Sequence, residues 1–246
     1  MKNLLKIETF CIWNGIKKAY ADHRSGGAMR FKAVIFDLDG TLLNTLCDIA
    51  ESANQVLLKY GYPQNPIEQY KYLVGKGVRN LILNAIEETV TEDRLECIIS
   101  DYKDIYSKRF CEKTSKYAGI DSLLDHLDEL GILYAILSNK PHNLTCRSIA
   151  HYFPNRNFQA IVGQQDNIPM KPNPDSVRGI LDCFRCKANE TMFIGDSGVD
   201  METAKNANMF GVGVLWGYRE KEELLSHGAK KLVAHPSDIL ELIDGG

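Results

Sequence analysis

The sequence predicts an α/β protein in which a parallel, doubly wound sheet carries an inserted helical domain. From Gly119 onward, short apolar runs of strand length alternate with stretches of helical periodicity, a pattern typical of a parallel sheet covered by helices on both faces. One further apolar run, Ala33–Phe36, stands far upstream and is followed by helical patterns alone. The predicted architecture is therefore a Rossmann-like core with an α-helical cap inserted after its first strand.

The insert is predicted to be helical throughout. Its apolar residues recur at helical spacing, and glycine, proline and threonine mark the ends of predicted helices at about 46–60, 66–73 and 78–88 and from Thr91 onward. A connection between a strand and a helix ordinarily needs only a few residues. We therefore predict a separate helical cap over residues 45–116 and a core that consists of residues 29–44 and 117–246.

The predicted core elements alternate along the chain. Strands are expected at about 32–36, 132–137, 159–162, 192–195, 211–215 and 232–233, and helices at about 123–130, 144–152, 177–184, 200–208, 220–227 and from 237. Gly131 is expected to end the first of these helices, because glycine readily adopts the left-handed conformation found there.

Composition excludes several classes of function. The chain has 246 residues, 44% of them hydrophobic and 25% charged, which is ordinary for a globular protein. A net charge of −3 offers no basic footprint for nucleic acid, and no apolar run approaches the ~20 residues that span a bilayer. Seven cysteines without framework spacing indicate reduced thiols and a cytoplasmic location.

Residues 1–28 fit neither predicted domain. The apolar run Phe10–Trp13 is too short for a signal-peptide core, and Glu8 and Asp22 argue against a transit peptide. We predict an appendage that is poorly ordered or weakly docked.

Polar side chains follow three of the predicted strands. The carboxyl ends of parallel strands lie along one edge of a sheet, where ligands bind, so these side chains should converge. Clustered carboxylates repel one another and require a shared cation, for which Mg²⁺ is suited. The residues are Asp37 and Asp39, Ser138 and Asn139, and Asp196 and Asp200.

The segment Asp37-Leu38-Asp39-Gly40-Thr41 resembles the signature of the haloacid dehalogenase superfamily, in its phosphatase branch. Ser138, the segment Lys171–Pro174 and the segment Gly195–Asp200 resemble the second, third and fourth motifs of that superfamily, in order. The place of the helical insert, directly after the first motif, matches the phosphoglycolate-phosphatase-like group. One departure is Asn44, where many relatives carry aspartate.

The resemblance implies a role for each motif residue in phosphoryl transfer. Asp37 would be the nucleophile that forms an aspartyl-phosphate, and Asp39 the general acid that protonates the leaving alkoxide and then the base that activates water. Ser138 would donate its hydroxyl to a phosphate oxygen, with the Asn139 amide beside it. Lys171 would neutralise phosphate charge and hold Asp37 close.

The resemblance also implies a magnesium site and a phosphate cradle. Mg²⁺ would be bound by Asp37, by the backbone carbonyl of Asp39 and by Asp196, while Asp200 would hold Lys171 or a metal-bound water. Gly40 and Thr41 are expected to contact the substrate.

The choice among phosphate esters is expected to depend on the cap, which closes over the site. The segment Val74–Arg79 resembles the cap loop of phosphoglycolate phosphatases, and Lys76 and Arg79 would suit the carboxylate of a small acid. The alternative is that both are solvated cations at a helix end. Pyrophosphatases and phosphosugar enzymes share many of these features.

Together these observations predict a Mg²⁺-dependent phosphatase that acts on a small phosphorylated metabolite, with 2-phosphoglycolate as the favoured substrate. A pyrophosphatase, a phosphosugar phosphatase or a phosphomutase on the same scaffold is an alternative. A non-catalytic phospho-acceptor or binding module is the alternative from another class. We expect a monomer or homodimer without a nucleic-acid or membrane partner.

Overall fold

The computed structural model describes residues 31–166 and 168–243, so the predicted appendage over residues 1–28 lies outside the described residues. In chain order the strands are β1 (Ala33–Phe36), β2 (Leu43–Asn44), β3 (Ser115–Lys116), β4 (Leu133–Pro141), β5 (Ile161–Gln164), β6 (Thr191–Gly195), β7 (Phe210–Val214) and β8 (Lys231–Val233). The α-helices are α1 (Leu46–Lys59), α2 (Tyr70–Leu73), α3 (Gly77–Ile86), α4 (Glu92–Arg109), α5 (Ile120–Leu130), α6 (His142–Tyr152), α7 (Asp175–Phe184), α8 (Gly198–Asn206), α9 (Lys221–Ser226) and α10 (Asp238–Ile243).

Within the described residues, six strands form one parallel sheet in the order β5-β4-β1-β6-β7-β8. β1 lies at the centre, and Phe36 is in register with Ile136 of β4 and Ile194 of β6. The chain reverses its direction of winding on either side of β1, which is the doubly wound arrangement. The predicted α/β fold class is confirmed.

Alternate residues of β1 point to opposite faces of the sheet. Val34 and Phe36 pack in one apolar cluster with residues of α5 and α10, whereas Ala33 and Ile35 pack in another with residues of α7 and α8. Burial on both faces explains why the strand is apolar at every position. Gly131 has a φ of +69° and ends α5, as predicted.

Helices α1 to α4 form most of a third apolar cluster, which also includes Leu144 and Tyr218 of the core. The chain enters this cap after β2 and returns at β3, and the two strands pair with each other as an antiparallel ribbon. The fully buried Asp48 carboxylate accepts hydrogen bonds from the backbone N–H groups of Lys113 and Thr114 and from the Thr114 hydroxyl, at 2.7–3.1 Å. These contacts join the first helix of the cap to the segment by which the chain returns to the core; residues 45 and 116 stay our proposal for its boundaries.

The structure differs from the predicted elements at the short strands β2 and β3, which were not expected, and in two further places. β4 was expected to end at Leu137 but continues to Pro141, because Pro141 pairs with Gln164 of β5 beyond an irregularity in the register. The second cap helix is split into a 3-10 turn, Ile67–Gln69, and the short α2. None of the helices in the described ranges has the length and hydropathy that crossing a bilayer requires.

Candidate active site

The predicted acids meet at the carboxyl edge of the sheet. Asp37 follows β1, and Asp196 follows β6, the strand beside it. Asp200 lies in the first turn of α8. One carboxylate oxygen of each of these three buried residues lies within 4.8 Å of the others. The close approach follows from strand register, since Phe36 and Ile194 are paired directly before the acids.

Two glycines let the chain pack against Asp196. Gly40 has a φ of +90°, and a β-carbon at that position would lie 2.2 Å from Asp196 Oδ2. A β-carbon on Gly217 would lie 2.2 Å from the Asp196 β-carbon. Any larger residue at either position would displace the carboxylate. Asp196 is further held by the Thr41 hydroxyl, which donates to Oδ1 at 3.2 Å, and by the Tyr218 backbone N–H, which donates to Oδ2 at 2.8 Å.

Lys171 joins two of the acids. Its Nζ lies 2.7 Å from Asp37 Oδ1 and 2.7 Å from Asp200 Oδ1, and its side chain is 3% exposed. Asp200 is fixed from its other side, because Oδ2 accepts hydrogen bonds from the Ser197 backbone N–H at 3.0 Å and from the Ser197 hydroxyl at 2.6 Å. This capping box starts α8 and orients Asp200 toward the lysine.

Burial and the neighbouring carboxylates shift the pKa values of the cluster. Burial raises the pKa of Asp37 to about 7, with further upward contributions from Asp200 and Asp39, although Lys171 lowers it. Burial, Asp200 and Asp37 raise the pKa of Asp196 well above its usual range. Burial disfavours the charged form of Lys171, but Asp200 and Asp37 outweigh it and raise the pKa of the ammonium.

These residues fit a divalent cation. Three buried carboxylates face one ammonium group, so the cluster carries excess negative charge when its acids are ionised. Hard cations such as Mg²⁺ take oxygen ligands, carboxylates among them, and three carboxylates converge here. A cation bound to Asp37 and Asp196 would favour their ionised forms, in the opposite direction to burial.

The Asp39 carboxylate is held by side chains from two segments, Thr45 before α1 and Lys140 of β4. Its Oδ1 accepts hydrogen bonds from the Thr45 hydroxyl and from Lys140 Nζ, both at 2.9 Å, and Oδ2 lies 3.3 Å from the same ammonium. Lys140 Nζ also donates to the Tyr106 hydroxyl of α4 at 2.5 Å. Cap and core therefore both contribute to the surroundings of Asp39.

Ser138 and Asn139 are neighbours in β4, but their side chains make different contacts. Ser138 is buried and lines the pocket. The Asn139 side chain instead joins three backbone groups: Nδ2 donates to the Gly75 carbonyl at 2.9 Å and to the Lys171 carbonyl at 3.1 Å, while Oδ1 accepts from the Lys171 N–H at 2.9 Å. The Asn139 amide thus holds the segment that carries the site lysine and ties it to the cap.

A small pocket lies between the sheet edge and the cap. Its cavity volume is about 50 Å³, enough for only a few water molecules. Core residues form its floor and cap residues its roof. The lining consists of Asp37, Asp39, Ser138, Asn139, Lys140, Pro141 and Lys171 from the core, with Ile49, Val74, Gly75, Gly77, Val78, Leu81, Tyr102 and Tyr106 from the cap.

Four predicted substrate contacts lie outside this lining. Gly40 and Thr41 contact Asp196 instead. Lys76 is exposed at the start of α3. Arg79 is 45% exposed and pairs with two glutamates of α4, Glu92 and Glu96. The structure therefore does not bring Lys76 or Arg79 to the pocket, because α3 directs its polar face toward solvent and toward α4.

Sequence reasoning missed Lys140, Thr45 and Tyr106 as site residues. Lys140 stands in the Ser138–Pro141 segment directly after an apolar strand, and this position was the available signal. Tyr106 was visible only as one of the apolar residues of a helix. Its contact with Lys140 joins residues 34 positions apart, which no local pattern encodes.

Comparison with known proteins places the chain in a family. The haloacid dehalogenase-like hydrolase family matches residues 34–214, which include the acids, the two lysines and the cap. The chain belongs to the haloacid dehalogenase-like hydrolase family and is an enzyme of the hydrolase class. The resemblance inferred from the four motifs is confirmed.

Several relatives share nearly the whole described chain. The phosphoglycolate phosphatase of Rhodobacter capsulatus is 32% identical over 201 residues, covering 80% of this chain and 91% of the relative. That of Vibrio parahaemolyticus is 28% identical over 218 residues, covering 86% and 96%. The crystal structure of a predicted phosphoglycolate phosphatase from Haemophilus somnus 129PT has a TM-score of 0.80 at 26% identity and covers 88% of this chain and 99% of its own.

Proposed function

We propose that the protein is a Mg²⁺-dependent phosphatase that hydrolyses 2-phosphoglycolate, or a closely similar small monoester, through an aspartyl-phosphate on Asp37. The observation that carries the proposal is the convergence of Asp37, Asp196, Asp200 and Lys171 at the carboxyl edge of the sheet. Two of these residues, Asp37 and Lys171, also line the small pocket between core and cap. The names of the relatives and the size of the pocket support the choice of substrate.

Asp37 acts as the nucleophile in this proposal. Lys171 fixes one of its oxygens at 2.7 Å, which orients the carboxylate toward the pocket that it lines. A carboxylate oxygen of Asp37 forms a bond to phosphorus while the bond from phosphorus to the alcohol oxygen breaks. The positive charge of Lys171 faces the charge that spreads over the phosphoryl oxygens, and the Ser138 hydroxyl donates to one of them.

Asp39 moves the proton in both steps. It gives a proton to the departing alkoxide and then, as a carboxylate, takes one from the water that attacks phosphorus and releases Asp37. The hydrogen bonds from Thr45 and Lys140 to Oδ1 hold the carboxyl group in place. The products are the free alcohol and inorganic phosphate.

Asp37, the Asp39 carbonyl and Asp196 would hold Mg²⁺, and Asp200 would hold Lys171 beside it. When bound, the ion neutralises the phosphate dianion and polarises its oxygens. The cap roof excludes water from the pocket while the ester is cleaved.

The experiment measures release of inorganic phosphate from 2-phosphoglycolate, a pyrophosphate and several sugar phosphates, with Mg²⁺ and with EDTA. We expect turnover when Mg²⁺ is present and none with EDTA, and the highest kcat/KM with 2-phosphoglycolate. Asp37→Asn should abolish turnover, and acid-quenched wild-type enzyme should carry phosphate on the peptide that contains Asp37. Turnover by Asp37→Asn would refute the assignment of Asp37 as the nucleophile. Transfer of the phosphoryl group to another position of a sugar would indicate a mutase.

A further inference from the structure

Lys140 is a buried cation at the wall of the pocket. Its side chain is 3% exposed, and its Nζ has two partners among the described side chains, the Asp39 carboxylate and the Tyr106 hydroxyl. The ammonium also lies 4.6 Å from the centre of the Tyr106 ring. An ammonium group has three N–H donors. One donates to Tyr106 and one is shared by the two Asp39 oxygens, at 2.9 and 3.3 Å, which leaves the third for a ligand in the pocket that Lys140 lines.

The other cations near the site are committed elsewhere. Lys171 is shared by Asp37 and Asp200. Arg219 lies 3.3 Å from Glu223 and donates to the Val74 carbonyl at 2.9 Å. Arg79 pairs with glutamates on the outer surface of the cap, as described above. Two lysines line the pocket among the described residues. Lys171 faces the phosphoryl group in the proposed mechanism, which leaves Lys140 for a second anionic group.

The roof of the pocket cannot supply that charge. Its side chains are aliphatic, apart from two tyrosines of α4, and include Ile49, Val74, Val78 and Leu81. Such a surface makes no ion pair with a carboxylate. A pocket with an apolar roof and one buried ammonium in its wall suits a short leaving group that carries a single negative charge.

We infer that Lys140 is the residue that selects the substrate, by pairing with a carboxylate on the leaving alcohol. The inference rests on the proposed phosphatase function and adds to it the residue that recognises the leaving alcohol of the substrate. The geometry follows from Asp39, which must reach the ester oxygen to protonate it. Lys140 Nζ lies 2.9 Å from Asp39 Oδ1, so a carboxylate whose carbon is two bonds from that ester oxygen, as in 2-phosphoglycolate, comes within its reach.

Two substrates of nearly equal shape test this role. One is 2-phosphoglycolate, and the other is its amide, which keeps the phosphate and the chain length but lacks the negative charge. We expect the wild type to favour the acid by about 10- to 100-fold in kcat/KM, the effect of one charged hydrogen bond in a buried site. Lys140→Gln should bring this ratio to within about threefold of one. It should also lower kcat for both substrates, because it removes a hydrogen bond that holds Asp39.

The matched control is Lys103→Gln, at an exposed position of α4 between Tyr102 and Tyr106, which should keep the wild-type ratio. Circular dichroism checks the fold of each variant. Where Lys140→Gln does not fold, Tyr106→Phe decides, because it removes the hydroxyl that holds the ammonium. If Lys140 sets specificity, Tyr106→Phe should lower the ratio of kcat/KM for the acid to kcat/KM for the amide. A purely structural role would lower both values of kcat/KM alike.

The outcomes separate this inference from the proposed function. Equal losses for acid and amide in Lys140→Gln would overturn it, as would a wild type that hydrolyses p-nitrophenyl phosphate with Mg²⁺ but treats acid and amide alike. The phosphatase function would survive both results. If no phosphate ester is hydrolysed with Mg²⁺, the phosphatase proposal fails and this inference fails with it.

Discussion

Asn139→Ala removes the side chain that ties the site lysine to the cap. Asn139 is 4% exposed and makes three hydrogen bonds, two with the backbone of Lys171 and one with the Gly75 carbonyl. At about 1 kcal/mol each, their loss should lower the free energy of unfolding by about 3 kcal/mol. For a chain of this size, that corresponds to a fall in Tm of about 6–12 °C.

Urea denaturation followed by circular dichroism measures this effect, with a thermal melt as a second readout. The slope of the urea transition should stay unchanged while its midpoint falls. Asn155→Ala is the control, because Asn155 is exposed in a surface turn and should change the stability by less than about 0.5 kcal/mol. If Asn139→Ala stays within that same limit, the amide does not anchor the Lys171 segment and our account of Asn139 is wrong.

Three further predictions concern the acids. Mg²⁺ at about 100 times its Kd should stabilise the wild type by about 2.7 kcal/mol in a thermal-shift assay, and Asp196→Asn should lose most of this gain. In EDTA, the raised pKa of Asp37 means that its protonated carboxyl group stabilises the folded state below pH 4, and that this stabilisation is lost as pH rises toward 7. Between pH 5 and 7 the free energy of unfolding of the wild type should therefore fall by about 2 kcal/mol relative to that of Asp37→Asn, as measured by urea denaturation at each pH. Asp48→Ala should lower the free energy of unfolding by about 2–4 kcal/mol in urea denaturation, because it leaves the Lys113 and Thr114 donors without their acceptor; an unchanged midpoint would contradict this.

The convergence of the core acids could be predicted from the sequence, because the ends of strands in a parallel sheet are marked by the end of an apolar run. Each apolar run is short, and the polar residue after it must lie at the carboxyl edge. Asp37 and Asp196 come together for that reason, since β1 and β6 are neighbours in register. The contacts of Asp48 could not be predicted in this way. Its partners lie 65 and 66 residues away in the returning linker, and a strand pair of two residues on each side has no periodicity.

The cap loop shows a different limit of sequence reasoning. Two cations beside glycines in Val74–Arg79 suggested a binding loop for an acid. The partners of Arg79 are Glu92 and Glu96, on a separate helix, and only the packing of α3 on α4 brings them together. Charge pairs between helices depend on which faces meet, and this cannot be read from the spacing within one helix.

Shape and charge at this site come from different parts of the chain. The cap provides aliphatic side chains for the roof, while the ionised groups that line the pocket belong to the core. The cap loop is joined to the core through its backbone, because the Val74 and Gly75 carbonyls accept hydrogen bonds from Arg219 and Asn139. Substitutions in the roof can therefore alter the size of the leaving group that fits without disturbing phosphoryl transfer. A change in the charge of the preferred substrate requires a substitution in the core, and Lys140 is the position at which we expect it.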